Sequence, residues 1–232
     1  MNLLELPGAT FPEGVFAATT TRQGGVSRGE FSALNVALHV GDDEASVIAN
    51  RDLMRTRLDL PSEPLWLNQV HASRIALSGD ADGSYTRKRG QVLCIQTADC
   101  LPVLIWNHEG TEIAAVHGGW QGLDSGVIGN ALAEFESGEL SAWIGPHIRS
   151  CHYEVDARLY DKFIVYEHAL FSGRDQDHWQ LDLSAVAATQ LEEWGVRRIY
   201  QSGDCTACDR ENYFSYRRDG RCGRMASLIW MV

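Results

Sequence analysis

Positive charge is scarce in this chain: 20 lysines and arginines face 31 acids, for a formal net charge of −11. That balance disfavours nucleic-acid polymers and anionic membrane surfaces as partners, because both are bound through basic residues that displace counterions. A small anionic substrate held by a few local arginines stays open. Long apolar runs are missing too. No stretch approaches the ~20 residues of a membrane span, and the opening MNLLELPGATFPEG has neither the basic start nor the apolar length of a secretory signal. The six cysteines (Cys94, Cys100, Cys151, Cys205, Cys208 and Cys222) are mostly far apart in a chain large enough not to need staples. The expectation is therefore a cytoplasmic protein with reduced thiols. HExxH, GxSxG, Walker, dinucleotide-binding and kinase signatures are all absent. So are linkers, repeats and low-complexity segments, which leaves one domain over residues 1–232 as the simplest organisation.

What is present is an ordinary globular composition, 44% hydrophobic and 22% charged over 232 residues. Val15–Thr21 reads as a strand that runs into a glycine turn, while Phe31–Val40 is ambiguous between a strand and an irregular segment. Gly41-Asp42-Asp43 opens a helix to about Leu58, with Val47, Met54 and Leu58 inward and Pro61 and Pro64 ending it. Leu65–Val70 reads as a strand ending at His71, with Ile75–Leu77 as partner and Ser78–Gly90 as a polar loop. Three short apolar runs, Gln91–Gln96, Leu101–Trp106 and Ile113–Val116, read as buried strands. Asp124 or Ser125 caps a helix with Val127, Ile128, Ala131, Leu132 and Phe135 on one face. Leu140–Ile144 and Arg198–Gln201 are strands, and Asp156 and Asp182 cap two more helices. Strands and helices intermix, so the fold class is α/β (mixed α+β), one domain built on mixed sheets.

Three groups of residues carry possible chemistry. His71, Cys100 and His117 each stand at the end of a predicted buried strand. Imidazole and thiolate both suit zinc, and three protein ligands leave a fourth position for water or substrate. A cysteine–histidine hydrolase dyad, or three unconnected residues, fit the spacing as well. Cys205-Thr-Ala-Cys208, with Cys222 downstream, is half of a zinc knuckle or a redox pair. The second half of a knuckle is missing and no thioredoxin-like unit surrounds it, so ordinary reduced thiols are expected. Arginines form the third group: Arg22 after a strand, and Arg217, Arg218, Arg221 and Arg224 near the C-terminus, with forks that suit phosphate or carboxylate. Gly118-Gly119 lets backbone N–H groups approach an anion, though the glycine order matches no phosphate-loop motif.

Taken together, the stretches TTRQGGVS, FSALNVALHVGDD, WLNQVHAS, QTADCLPVL, AAVHGGWQGL, IGPHI, YEV, FSYRRDG and GRMASLIW resemble the bacterial YfiH-type family, also called laccase-domain or polyphenol-oxidase-like proteins. The resemblance runs in order from about Thr19 to Val232. It implies a compact α/β unit with mixed β-sheets layered against helices, and zinc ligands His71, Cys100 and His117. The implied activities are zinc-dependent phosphorolysis of adenosine, inosine and methylthioadenosine, with deamination of adenosine; the partners are then a purine nucleoside and phosphate. Beside the thiolate, Asp99 is the candidate proton carrier or ligand orienter, with Cys100 in the catalytic centre. Asn35 and Gln69 are candidates for a purine or ribose edge, and Arg22 and Arg224 for phosphate. Two departures stand out. Gln121 occupies the position where the family's VHAGWRG has arginine, and Arg149-Ser150 replace a second Gly-Pro. Relatives imply alternatives: a zinc amidase that removes L-serine from a UDP-N-acetylmuramoyl precursor, a copper-dependent phenol oxidase, or a silent binding protein. Copper(II) outbinds zinc in many N/S sites, but the 8 histidines include no HxH pair, which argues against a multicopper centre. The oligomeric state is left open.

Overall fold

The computed structural model describes residues 3, 4, 6, 8–136 and 138–232. Its elements are β1 (Leu3–Leu4), β2 (Val15–Thr20), α1 (Glu44–Arg57), β3 (Gly83–Thr86), β4 (Val92–Thr97), β5 (Leu101–Asn107), β6 (Ile113–Gly118), α2 (Trp120–Asp124), α3 (Val127–Leu132) and β7 (Leu140–Ile144). They continue with β8 (Glu154–Asp156), α4 (Ala157–Phe163), β9 (Leu170–Ser172), β10 (His178–Leu181), α5 (Leu183–Glu193), β11 (Arg198–Gln201), α6 (Tyr216–Asp219) and β12 (Met225–Met231). Three sheets result, with strand orders β1-β2-β12-β4, β8-β10-β9 and β11-β7-β5-β6-β3. Only the β11–β7 pairing is parallel; the other ladders are antiparallel. This is the layered mixed fold that the sequence led us to expect.

Side-chain alternation along β5 shows how the layers stack. Leu101, Val103 and Ile105 enter a core shared with Leu123 of α2, Val127 of α3 and Val186 of α5. Leu104 and Trp106 point the other way, onto Leu93, Ile95, Ile229 and Met231 of the four-stranded sheet. The far face of that sheet, with Cys94 and Leu228, packs against Met54 of α1. The order is thus α1, four-stranded sheet, five-stranded sheet, then α2, α3 and α5. A strand covered on both faces needs no polar alternation, which is why β5 is apolar almost throughout.

Helix starts follow local chemistry. Asp43 accepts the Ser46 N–H at 2.9 Å, Asp156 that of Leu159 at 3.1 Å, and Asp182 those of Ser184 and Ala185 at 3.0 and 3.2 Å. Each satisfies donors that the first helical turn leaves free.

Four local expectations are corrected. Leu65–Val70 is not a strand: Leu65 and Asn68 make isolated bridges only, and the N–H groups of Val70, His71 and Ala72 go to the Asp82 carboxylate instead of a ladder. Ile75–Leu77 contributes one bridge, from Ile75 to Gly83. The polar loop contains β3, whose Ser84 and Thr86 are buried as it pairs with β6; its short polar sequence carries no apolar alternation to announce it. The helix expected after an Asp124 or Ser125 cap is α3, which starts instead from Gly126 at φ +82° and stops at Leu132, short of Phe135; Asp124 is the last residue of a separate short helix, α2. A Cβ at Gly126 would meet nothing within 4 Å, so Gly126→Ala carries a backbone cost alone. Chemical denaturation is expected to show a loss of about 1–2 kcal/mol. The ambiguous Phe31–Val40 stretch forms two single 3₁₀ turns, Gly29–Phe31 and Leu38–Val40, joined irregularly.

Candidate metal centre

Cys100 stands where the chain crosses between the two large sheets, in the tight connection from β4 to β5. The crossing turns on Asp99, which adopts φ +96°, a conformation that costs a non-glycine residue about 1–2 kcal/mol. Three hydrogen bonds hold it there. Its carboxylate accepts the Thr206 hydroxyl and the Arg217 N–H, each at 2.6 Å, and its carbonyl accepts the Ile148 N–H at 2.9 Å. His117 is the second-to-last residue of β6 and is buried. His71 lies in a turn at φ +61° and is exposed.

One buried carboxylate organises both histidines. Asp82 accepts the backbone N–H groups of Val70, His71 and Ala72 at 3.1, 2.9 and 2.7 Å, and its Oδ1 lies 2.8 Å from His117 Nδ1. With Nδ1–H donating to Asp82, His117 keeps the Nε2 lone pair for the site, the arrangement common to metal-bound histidines. The donor atoms of His71, Cys100 and His117 all lie within 4.8 Å of one another, with Cys100 Sγ 3.7 Å from His71 Nε2. Gly119 makes room beside them: a Cβ there would sit 3.0 Å from His71 Cδ2 and 3.3 Å from Cys100 Sγ.

The electrostatics match a ligand set. Burial raises the Cys100 thiol, but His117 and His71 outweigh it and bring the thiol down to about 6. Burial lowers His117, but Cys100 and Asp82 overcome that and raise it to about 9. Burial also disfavours the Asp82 carboxylate, yet its bonds to His117 and the 70–72 turn keep it below the ordinary carboxylate range. Without a metal, the pair is thus drawn toward thiolate and imidazolium. One thiolate and two imidazoles suit zinc, with a position left open, and copper shares the preference for these donors.

The three donors open on a cavity of about 430 Å³ whose walls include Gln69, Asp99, Tyr153, Tyr216, Arg217 and Arg224. Neither Arg217 nor Arg224 makes an ion pair among the described residues. Their guanidiniums touch backbone carbonyls, of His152 and Glu154 for Arg217 and of Cys222 and Gly223 for Arg224. The protein's overall acidity therefore has a local exception here.

Of the residues singled out from sequence, His71, Gln69, Asp99, Cys100, His117 and Arg224 meet at this cavity. The Gln69 side chain is committed to the Gln96 backbone, donating to its carbonyl and accepting its N–H, both at 2.8 Å. Arg22 lies in a separate depression, bonded to the Ser32 and Arg210 carbonyls and stacked over Phe214. Asn35 is fully buried; it donates to Asp42 and accepts the Arg224 N–H at 2.9 Å, which places it beneath the cavity wall. Gln121 faces a neighbouring groove beyond His71, with Trp120 and Lys162. Asp82, Tyr153 and Tyr216 were not singled out. Asp82 lies in a polar stretch with nothing to mark it as a histidine partner, whereas Tyr153 and Tyr216 lie inside or beside the quoted YEV and FSYRRDG segments.

Known proteins resemble this one along nearly its whole length. The family model described as multi-copper polyphenol oxidoreductase laccase matches residues 16–232. A Shigella flexneri protein named purine nucleoside phosphorylase YfiH is 39% identical over 243 aligned residues, covering 100% of each chain. A Haemophilus influenzae protein named purine nucleoside phosphorylase is 37% identical, covering 97% of each. Among solved structures, a Neisseria meningitidis protein superposes with a TM-score of 0.91 at 37% identity, covering 95% of this chain and 96% of its own. YlmD from Geobacillus stearothermophilus gives 0.88 at 30%, covering 97% and 94%.

Proposed function

The chain belongs to the multi-copper polyphenol oxidoreductase laccase family, and from that premise we propose that it is a zinc-dependent purine nucleoside phosphorylase that also deaminates adenosine. The observation that carries the proposal is the cavity itself, in which a Cys/His₂ donor set faces two arginines free of carboxylate partners. The names of the full-length relatives support the purine assignment.

Phosphorolysis forms a bond from a phosphate oxygen to the ribose anomeric carbon and breaks the glycosidic C–N bond. Such a site must hold phosphate and accommodate the departing base. Arg217 and Arg224 supply cationic forks for phosphate, and Tyr153 and Tyr216 offer faces for a purine ring. His71, Cys100 and His117 would hold zinc, which when bound supplies Lewis-acid polarisation and acidifies water at neutral pH. Asp99 acts as an orienter of the Cys100 turn, since both its oxygens already accept hydrogen bonds. The donor set favours this chemistry over multicopper oxidation: the two His/Cys groups among the described residues hold three histidines between them and no HxH pair.

Zinc-loaded protein incubated with adenosine is expected to release adenine and ribose 1-phosphate only when phosphate is present, and inosine without it. Chromatography of the products checks both. No purine product from either reaction, or release of free L-serine from UDP-N-acetylmuramoyl-L-serine as the sole turnover, would replace the proposal with the amidase alternative or none. A charge-assisted hydrogen bond contributes about 1.5–3 kcal/mol, so Arg224→Ala should raise the KM for phosphate by about tenfold or more. The KM for nucleoside should change much less, and an equal rise in both would take phosphate away from Arg224.

A further inference from the structure

The CxxC at Cys205 and Cys208 lacks the second half of a knuckle in the sequence around it, yet the fold supplies that half from 53 residues upstream. The turn after β7 brings Cys151 and His152 against the loop that carries Cys205 and Cys208, and the four donor atoms lie within 4.8 Å of one another. We propose that Cys151, His152, Cys205 and Cys208 form a second zinc site, a closed structural one, distinct from the cavity donors.

The distances carry the proposal. Zn–S bonds of about 2.3 Å and Zn–N bonds of about 2.0–2.1 Å in a tetrahedron set sulfurs about 3.8 Å apart and sulfur and nitrogen about 3.5 Å apart. Here Cys151 Sγ lies 3.7 Å from Cys205 Sγ and 3.6 Å from Cys208 Sγ. His152 Nδ1 lies 3.3, 3.4 and 4.0 Å from the sulfurs of Cys151, Cys208 and Cys205. Those are five of the six edges of a roughly tetrahedral donor set, and the sixth, between Cys205 and Cys208, lies within 4.8 Å. A disulfide would need sulfurs about 2.05 Å apart, and all three cysteines are free. Three thiolates and one imidazole select zinc over harder cations, and four protein ligands leave no open position, which marks a structural rather than catalytic centre.

The surroundings fit a bound ion. The Arg149 N–H points at Cys205 Sγ from 3.5 Å, the kind of outer contact that holds a metal thiolate. The Arg217 guanidinium touches the His152 carbonyl and brings positive charge beside a centre that three thiolates make net negative. The site also backs the cavity wall. Thr206, inside the CxxC, donates its hydroxyl to Asp99, its N–H bonds the His147 carbonyl at 3.0 Å, and Tyr153 follows His152 directly. An ion here would pin both segments and so steady Asp99 and the Cys100 turn.

Zinc content, measured on protein expressed with zinc and desalted without chelator, tests this. The unaltered chain is expected to carry about two ions. Cys208→Ser and His117→Ala should each carry about one, and the double variant about none. Cys208 is exposed and serine is nearly isosteric, so the fold should survive; circular dichroism checks that. As a measurement that leaves all four ligands in place, cobalt-loaded His117→Ala protein should show thiolate-to-cobalt charge-transfer absorption. Chelator should then lower its melting temperature on the order of 5–10 °C. About one ion in the unaltered chain, unchanged by Cys208→Ser and lost in His117→Ala, would overturn the proposal. So would a Cys151–Cys205 or Cys151–Cys208 disulfide found by peptide mapping of freshly purified reduced-buffer protein.

Discussion

His117→Ala is expected to empty the cavity site of metal and to reduce turnover by more than about a hundredfold while the domain stays folded. The floor on that figure comes from the outer partners of metal ligands, whose loss alone costs about 10–100-fold in affinity or activity; removing a ligand should cost more. The fold should persist because Asp82 keeps the Val70, His71 and Ala72 N–H groups after the imidazole is gone. The deleted ring also opens toward the cavity instead of leaving a sealed void. Metal analysis, circular dichroism and product assays on the same preparation separate the three claims. Full turnover with the cavity site empty would remove zinc from the mechanism. An unfolded variant would show that His117 is first a structural residue.

Asp82→Asn acts on stability and affinity together. The native carboxylate accepts four hydrogen bonds, three from consecutive backbone N–H groups and one from His117. An amide keeps one acceptor oxygen and turns an NH₂ group on donors whose bonds go to this carboxylate. Each buried donor left unsatisfied costs about 1–3 kcal/mol, so the loss should be about 2–4 kcal/mol, lowering the melting temperature by about 5–15 °C at this chain length. His71 also loses the carboxylate that pins its φ +61° turn, and His117 loses the partner that fixes its tautomer. Zinc affinity at the cavity should fall about 10–100-fold. Denaturation curves and competition with a chelator of known affinity measure the two effects. Unchanged zinc affinity beside a lowered melting temperature would make Asp82 a structural anchor only.

These two residues differ in how far sequence alone reaches. His117 was legible because it closes an unbroken apolar run and lies in a specific motif. Asp82 was not, because nothing in a polar loop tells which acid will fold beneath a histidine 35 residues on. The same contrast holds across the fold. Asp43, Asp156 and Asp182 announced their helices, since a cap acts on N–H groups two or three residues away. The apolar runs of β4, β5 and β6 announced buried strands. Gln69 lines the cavity and Asn35 is buried outside it, and their amides are engaged with backbone groups and Asp42, contacts that local sequence does not announce.

What the sequence determined by itself was the local chemistry: caps, apolar periodicity, the His71, Cys100 and His117 motifs, and a charge balance unsuited to polymers of nucleic acid. Those signals act over a few residues and survive in any reading of the chain. Only the tertiary structure decided which polar groups meet. Pairing β3 with β6 carried Asp82 to His117, the tertiary fold brought Arg217 and Arg224 to the donor set, and the His147–Cys205 bridge beyond the β7–β11 pair joined Cys151 and His152 to a CxxC that had looked incomplete. The physical reason is that hydrogen bonds and metal ligation need contact within a few ångströms, and long-range strand pairing, not sequence spacing, creates that contact.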